Sequence, residues 1–112
     1  MLYLVLMLML NLTPSGETYM VTGYDSCLRC CGKTDGITAS GRPARLGVVA
    51  ADWEVLPKGT TIKLSCFPGQ TFTVLDKGGA IKGRRVDVWF PTHGAALQFG
   101  RKRGVVVEVV TP

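Results

Sequence analysis

The sequence predicts a small all-β domain, a closed barrel or an open sandwich, with one short helix. Three observations carry this. Six short runs rich in Val, Ile, Thr and aromatic residues recur between residues 18 and 110. Turn signals separate them, notably Pro57-Lys58-Gly59, Pro68-Gly69-Gln70 and Lys77-Gly78-Gly79. The chain has 112 residues, room for one domain and not two. A 46% hydrophobic share beside 19% charged residues excludes disorder and a polytopic membrane protein.

Taken in order, the chain opens on an apolar run: in residues 1–12 only Asn11 is polar. A bilayer span needs about 20 apolar residues, so the run is too short to cross. It fits the apolar core of a signal peptide or a clipped anchor, although no basic residue precedes it. The other reading is a strand or helix buried in the domain or in a partner. Residues 13–17 read as a linker. The expected organisation is therefore a signal- or anchor-like segment with its linker over 1–17, followed by the β domain over 18–112, outside the cytoplasm. Membrane anchoring would run through residues 1–12.

The expected strands are 18–24, 46–51, 60–66, 71–76, 85–90 and 105–110. Residues 67–70 are short enough to close a hairpin. The stretch 25–45 has no strong period and reads as a long loop, which in a compact domain calls for a function or a covalent tie. Thr92 is a candidate N-cap after Pro91, with a two-turn helix over 94–99 and a stop at Gly100. Arg101-Lys102-Arg103 would then sit at the negative pole of that helix.

Cys27, Cys30, Cys31 and Cys66 are disulfide candidates or free thiols. A bridge between adjacent Cys30 and Cys31 would be strained, and both remaining pairings tie Cys66 to Cys30 or Cys31. The rival is a zinc site of the same residues, which lacks the usual second Cys-x-x-Cys pair. A net charge of +5 suits nucleic acid, anionic envelope polymers or a membrane surface. No basic pattern here matches a nucleic-acid reading element, so no nucleic-acid partner is expected.

The aspartates are the informative acids. Asp87 interrupts the apolar strand Val86-Asp87-Val88-Trp89-Phe90, which places Val86, Val88 and Phe90 on one face and Asp87 and Trp89 on the other. A carboxyl beside apolar surface is pushed toward its neutral form, as a general acid needs. Asp76 and Asp52 end strands and serve equally as turn caps. Asp25 and Asp35 read as solvated loop residues. His93, the only histidine, has no identifiable nucleophile partner and reads as structural. Tyr24, Trp53 and Trp89 are sugar-stacking platforms or core.

The chain resembles a known family in a run of motifs. They are Val21-Thr22-Gly23-Tyr24, Cys27-Leu28-Arg29-Cys30-Cys31-Gly32-Lys33, Thr38-Ala39-Ser40-Gly41, Gly47-Val48-Val49-Ala50-Ala51-Asp52 and Leu56-Pro57-Lys58-Gly59-Thr60. They continue as Asp76-Lys77-Gly78-Gly79-Ala80-Ile81-Lys82-Gly83, Arg85-Val86-Asp87-Val88-Trp89-Phe90 and Ala96-Leu97-Gln98-Phe99-Gly100. Together these resemble the 3D domain of bacterial cell-wall proteins, named for three aspartates. The chain departs in two places: only a short apolar run precedes the barrel where family members often carry wall-binding modules or a long anchor, and Asp-Lys-Gly-Gly stands where the motif commonly has Asp-Thr-Gly-Gly.

The resemblance implies a six-stranded double-psi β-barrel, akin to the catalytic barrel of the A-type membrane-bound lytic transglycosylase and to stationary-phase resuscitation factors. It maps the three aspartates onto Asp52, Asp76 and Asp87, with Asp87 as the catalytic acid and Asp76 across the groove. It makes Thr38 and Lys82 substrate-facing. It implies an enzyme that cleaves the β-1,4 bond between N-acetylmuramic acid and N-acetylglucosamine in peptidoglycan, forming a 1,6-anhydro sugar with neither cofactor nor metal. The alternatives are a non-catalytic, expansin-like wall-binding module and, from the cysteines and the basic charge, a zinc-stabilised nucleic-acid binder.

Overall fold

The computed structural model describes residues 17–27 and 35–110. The apolar run at 1–12, most of the expected linker, and Cys30 and Cys31 lie outside the described residues. The strands are β1 (Thr18–Tyr24), β2 (Val48–Ala51), β3 (Thr61–Leu64), β4 (Phe72–Asp76), β5 (Arg85–Trp89) and β6 (Arg101–Val110), with α1 (His93–Phe99) before β6. They close into a barrel in the order β1-β5-β2-β4-β3-β6. β1/β5 and β2/β4 are parallel and the other neighbours antiparallel. This is the expected six-stranded double-psi β-barrel rather than an open sandwich.

Alternation along the strands fills the interior. Val21, Val49, Ala51, Ile62, Val74 and Val86 are wholly inaccessible to solvent, and Leu64, Phe72, Val88, Val105 and Val107 join them. Such Val- and Ile-rich sequence both favours strands and packs a narrow barrel. A second, smaller cluster of Tyr24, Ala50 and Ile81, with Trp89 against it, lies on the other face of the same strands.

α1 begins as expected. The Thr92 hydroxyl accepts the Ala95 amide at 3.1 Å, and Gly100 ends the helix at φ 73°. Gly23 permits β1 to approach α1. A Cβ there would stand 2.8 Å from the Phe90 ring and 3.1 Å from the Ala96 carbonyl oxygen. β6 starts four residues earlier than the sequence suggested, so Arg101, Lys102 and Arg103 belong to a strand. The helix carries no basic residue in its last turn, which corrects their reading as a helix-end complement.

Candidate functional site

Two connections build the site. β4 and β5 both flank β2, so residues 77–84 must cross the end of β2. Asp52, the residue after β2, holds that crossing: its carboxylate accepts the Gly83 amide at 2.9 Å and the Glu54 amide at 3.0 Å. The Gly83 hydrogen bond above all, then the Glu54 one, lowers the Asp52 pKa, with the Lys82 charge acting the same way. The connection after β1 crosses β5 and brings residues 35–45 against β4, where Ser40 donates its amide to the Leu75 carbonyl at 3.0 Å. A one-bridge turn between Ile37 and Pro43 shapes it.

Between these loops lies an open groove of about 440 Å³, lined among others by Tyr24, Ala50, Asp76, Ile81, Arg85 and Asp87. Its floor is a row across neighbouring strands: Thr22 pairs with Asp87, Asp87 with Ala50, and Ala50 with Asp76. Strands stand about 4.8 Å apart, so the two aspartates flank one alanine methyl. Strict alternation would turn Asp76 to the side of Val74 and the core. The register of β2 on β4 shifts between Val49 and Ala50, and Asp76 falls beside Ala50 instead.

The two carboxyls have different surroundings. Burial pushes the Asp87 pKa up, the nearby Asp76 charge adds to this, and the Thr22 hydrogen bond and Arg85 charge oppose it. Thr22 Oγ1 donates to Asp87 Oδ1 at 2.9 Å. Asp76 is an anchored acceptor. Its Oδ2 takes the Tyr24 hydroxyl at 2.8 Å, and its Oδ1 takes the Ala39 and Lys77 amides, each at 2.9 Å. Arg85 stands in the groove wall, reaching the Ala80 carbonyl at 3.4 Å and the Thr22 hydroxyl at 3.5 Å, with a buried Nε that has no hydrogen-bond partner among the described residues.

The other expected site residues sit differently. Tyr24 lines the groove, but only 7% of it is exposed and its hydroxyl is spent on Asp76, so it is a wall rather than a stacking platform. Trp89 packs against the Tyr24–Ala50–Ile81 cluster and donates its indole N–H to Ser26 at 2.9 Å. Thr38 is 4% exposed, its hydroxyl donating to the Arg42 carbonyl at 2.7 Å; its neighbours Ile37 and Ala39 line the groove instead. Lys82 is exposed and lies near Asp52 rather than in the groove lining. Lys77 stands with its ammonium 4.5 Å over the Trp53 ring.

Cys27 and Cys66 are free thiols, and Cys30 and Cys31, the expected partners of Cys66, lie outside the described residues. Burial raises the Cys66 pKa, where the thiol packs against the barrel interior. Asp25 corrects its reading as solvated: it is 5% exposed and contacts Cys27 and His93. Thr22, Ala50 and Ile81 were not singled out from the sequence, because only register and loop crossing bring them to the groove.

The family model of the 3D domain matches residues 47–110. A Bacillus subtilis protein described as "Putative cell wall shaping protein YabE" is 34% identical over 88 residues, 76% of this chain and 21% of that protein. The cell wall-binding protein YocH of Bacillus subtilis is 35% identical over 75 residues, 63% of this chain and 25% of that protein. The chain thus spans about a quarter or less of these relatives' length. Among solved structures, MltA from E. coli superposes at TM-score 0.55 with 28% identity, covering 68% of this chain and 28% of MltA. MltA with bound chitohexaose gives 0.56 at 28% identity, covering 67% of this chain and 28% of that one.

Proposed function

The chain belongs to the 3D-domain family, and from that premise we propose that it cleaves glycan strands of the bacterial cell wall as a lytic transglycosylase. The observation that carries this reading is the row Thr22–Asp87–Ala50–Asp76 on the groove floor, in which the acid with raised pKa faces an anchored carboxylate. The similar solved structures are of MltA, a lytic transglycosylase of E. coli, one of them with bound chitohexaose, and they support a glycan in that groove.

In this reading Asp87, protonated, donates to the glycosidic oxygen between N-acetylmuramic acid and N-acetylglucosamine. The carboxylate then accepts the proton of the muramyl C6 hydroxyl as that oxygen attacks the anomeric carbon. The products are a 1,6-anhydro end and a free 4-hydroxyl, and no water is consumed. Thr22 holds one oxygen of Asp87; among the described residues the other makes no hydrogen bond and is left for substrate. Asp76 stabilises the oxocarbenium-like charge from across Ala50. Arg85 meets acidic groups of the muramyl peptide stem. Asp52 positions the 77–84 loop. The setting is extracytoplasmic, where the wall is.

The test is digestion of purified peptidoglycan by the full chain, read by mass spectrometry, with Asp87→Asn beside it. Muropeptides ending in 1,6-anhydromuramic acid, absent with the variant, are expected. Reducing ends instead would make it a hydrolase, which needs two carboxyls about 5–9.5 Å apart and a water. A second reading, a non-catalytic wall-binding module, is favoured by the relative named for wall binding. It requires sacculus binding without cleavage, unchanged in Asp87→Asn.

A further inference from the structure

Away from the groove, three donors meet where β1 ends and α1 begins. Cys27 Sγ lies 3.1 Å from Asp25 Oδ1 and 3.6 Å from His93 Nδ1, and His93 Nδ1 lies 3.1 Å from the same Asp25 oxygen. Rigid parts of the fold present them. Asp25 directly follows β1, whose pairing continues as Phe90 donates its amide to the Tyr24 carbonyl at 2.8 Å. His93 is the first residue of α1, fixed by the Thr92 cap. α1 is seated on β1 through the close approach at Gly23.

The arrangement does not suit a nucleophilic relay. A Cys–His–Asp relay uses both ring nitrogens, one toward the thiol and one toward the carboxylate. Here the thiol and the carboxylate both face Nδ1. Converging lone pairs of three different donor types are instead what a metal ion requires. Zn–S of about 2.3 Å, with Zn–N and Zn–O of about 2.0–2.2 Å, give a tetrahedral face with edges of roughly 3.3–3.6 Å. The observed edges of 3.1, 3.1 and 3.6 Å need only a few tenths of an ångström of movement.

We propose that Asp25, Cys27 and His93 bind a zinc ion that clamps the end of β1 to the start of α1. The mixed sulfur, nitrogen and oxygen set suits zinc, a borderline-soft ion without geometric demands of its own. Binding releases the Cys27 thiol proton to solvent as the Zn–S bond forms, with no change in oxidation state. One thiolate, one carboxylate and one neutral imidazole then balance the two positive charges. Cys66 takes no part, unlike in a four-cysteine site, because its thiol lies outside this cluster. The clamp sits beside Tyr24, which holds Asp76, so the ion would stiffen the groove without touching substrate.

The experiment uses the full chain under reducing conditions. Zinc content and zinc affinity, by competition with a chromophoric chelator, are measured for the unsubstituted chain, Cys27→Ala, His93→Ala and Cys66→Ala. About one zinc per chain is expected, with Cys66→Ala unchanged. Cys27→Ala and His93→Ala should weaken binding by at least the roughly 10–100-fold that loss of an outer-shell partner costs. Alkylation of Cys27, mapped by mass spectrometry on the unsubstituted chain, should slow in zinc and recover with a chelator. This decides the matter even where a variant fails to fold. Equal alkylation with and without zinc, or unchanged affinity in folded Cys27→Ala, overturns the proposal.

Discussion

β5 presents two different molecules on its two faces. Inward, Val86 and Val88 join an aliphatic interior closed to solvent. Outward, Asp87 lines an open groove and Trp89 packs against the Tyr24–Ala50–Ile81 cluster. One residue of spacing separates a side chain that holds the barrel from one that the proposed reaction uses. The inner face gains from burial, whereas the outer face places a carboxyl where burial opposes its charge. Stability and activity should therefore respond separately to substitutions one residue apart.

The strongest way to break that separation is Asp87→Asn. Glycan cleavage should fall by roughly 10²–10⁴-fold, the usual worth of a general acid. Stability should move the other way. The folded pKa of Asp87 lies above its unfolded value, so the folded state holds the extra proton between the two. Stability is thus lost as pH rises through that window, and the loss persists at neutral pH. Thermal melts should show Asp87→Asn melting higher than the unsubstituted chain at pH 7, with the gap closing below the unfolded pKa. A variant equally active, or less stable at pH 7, would show that the faces are not divided as described.

Ile62→Ala tests the inner face. Urea melts should show a loss of about 2–5 kcal/mol, while the folded fraction retains glycan cleavage. A smaller effect is expected from Ala50→Leu, which puts a branched side chain between the two aspartates. Overpacking costs about 1–3 kcal/mol, and cleavage should fall together with sacculus binding in a pull-down assay. The smallest effect belongs to Asp52→Asn. Its lowered pKa means its contribution is present above the unfolded pKa and lost as pH falls through the folded one. Faster amide exchange at Gly83 is expected, with a small fall in melting temperature at neutral pH that disappears below the folded pKa.

The barrel was largely legible in the sequence because its signal is local. Alternating Val and Ile, with Gly- and Pro-rich turns, marked every strand, and β1 agrees to the residue. Asp87 was legible for the same reason, as a carboxylate inside an apolar strand. What escaped depends on contacts distant in sequence. The side of β4 that Asp76 takes depends on a register shift, which a period-two pattern misassigns. Thr22 meets Asp87 only through parallel pairing of strands 65 positions apart. Asp25 looked like a loop acid because His93, its partner, stands 68 positions away. Arg101–Arg103 were misread because Gly100 ends the helix directly into a strand, without an intervening loop.

Barrel closure joins the ends of the fold: β6 pairs with both β1 and β3. The first strand therefore has only half its partners until the last is made, and an emerging chain cannot seal its interior early. Such pairing raises contact order, which slows folding relative to locally wired folds of the same size. Once sealed, the same seam leaves no open strand edge among the described residues on which a second copy could add itself. The domain thus trades a late, slow closure for resistance to edge-to-edge aggregation.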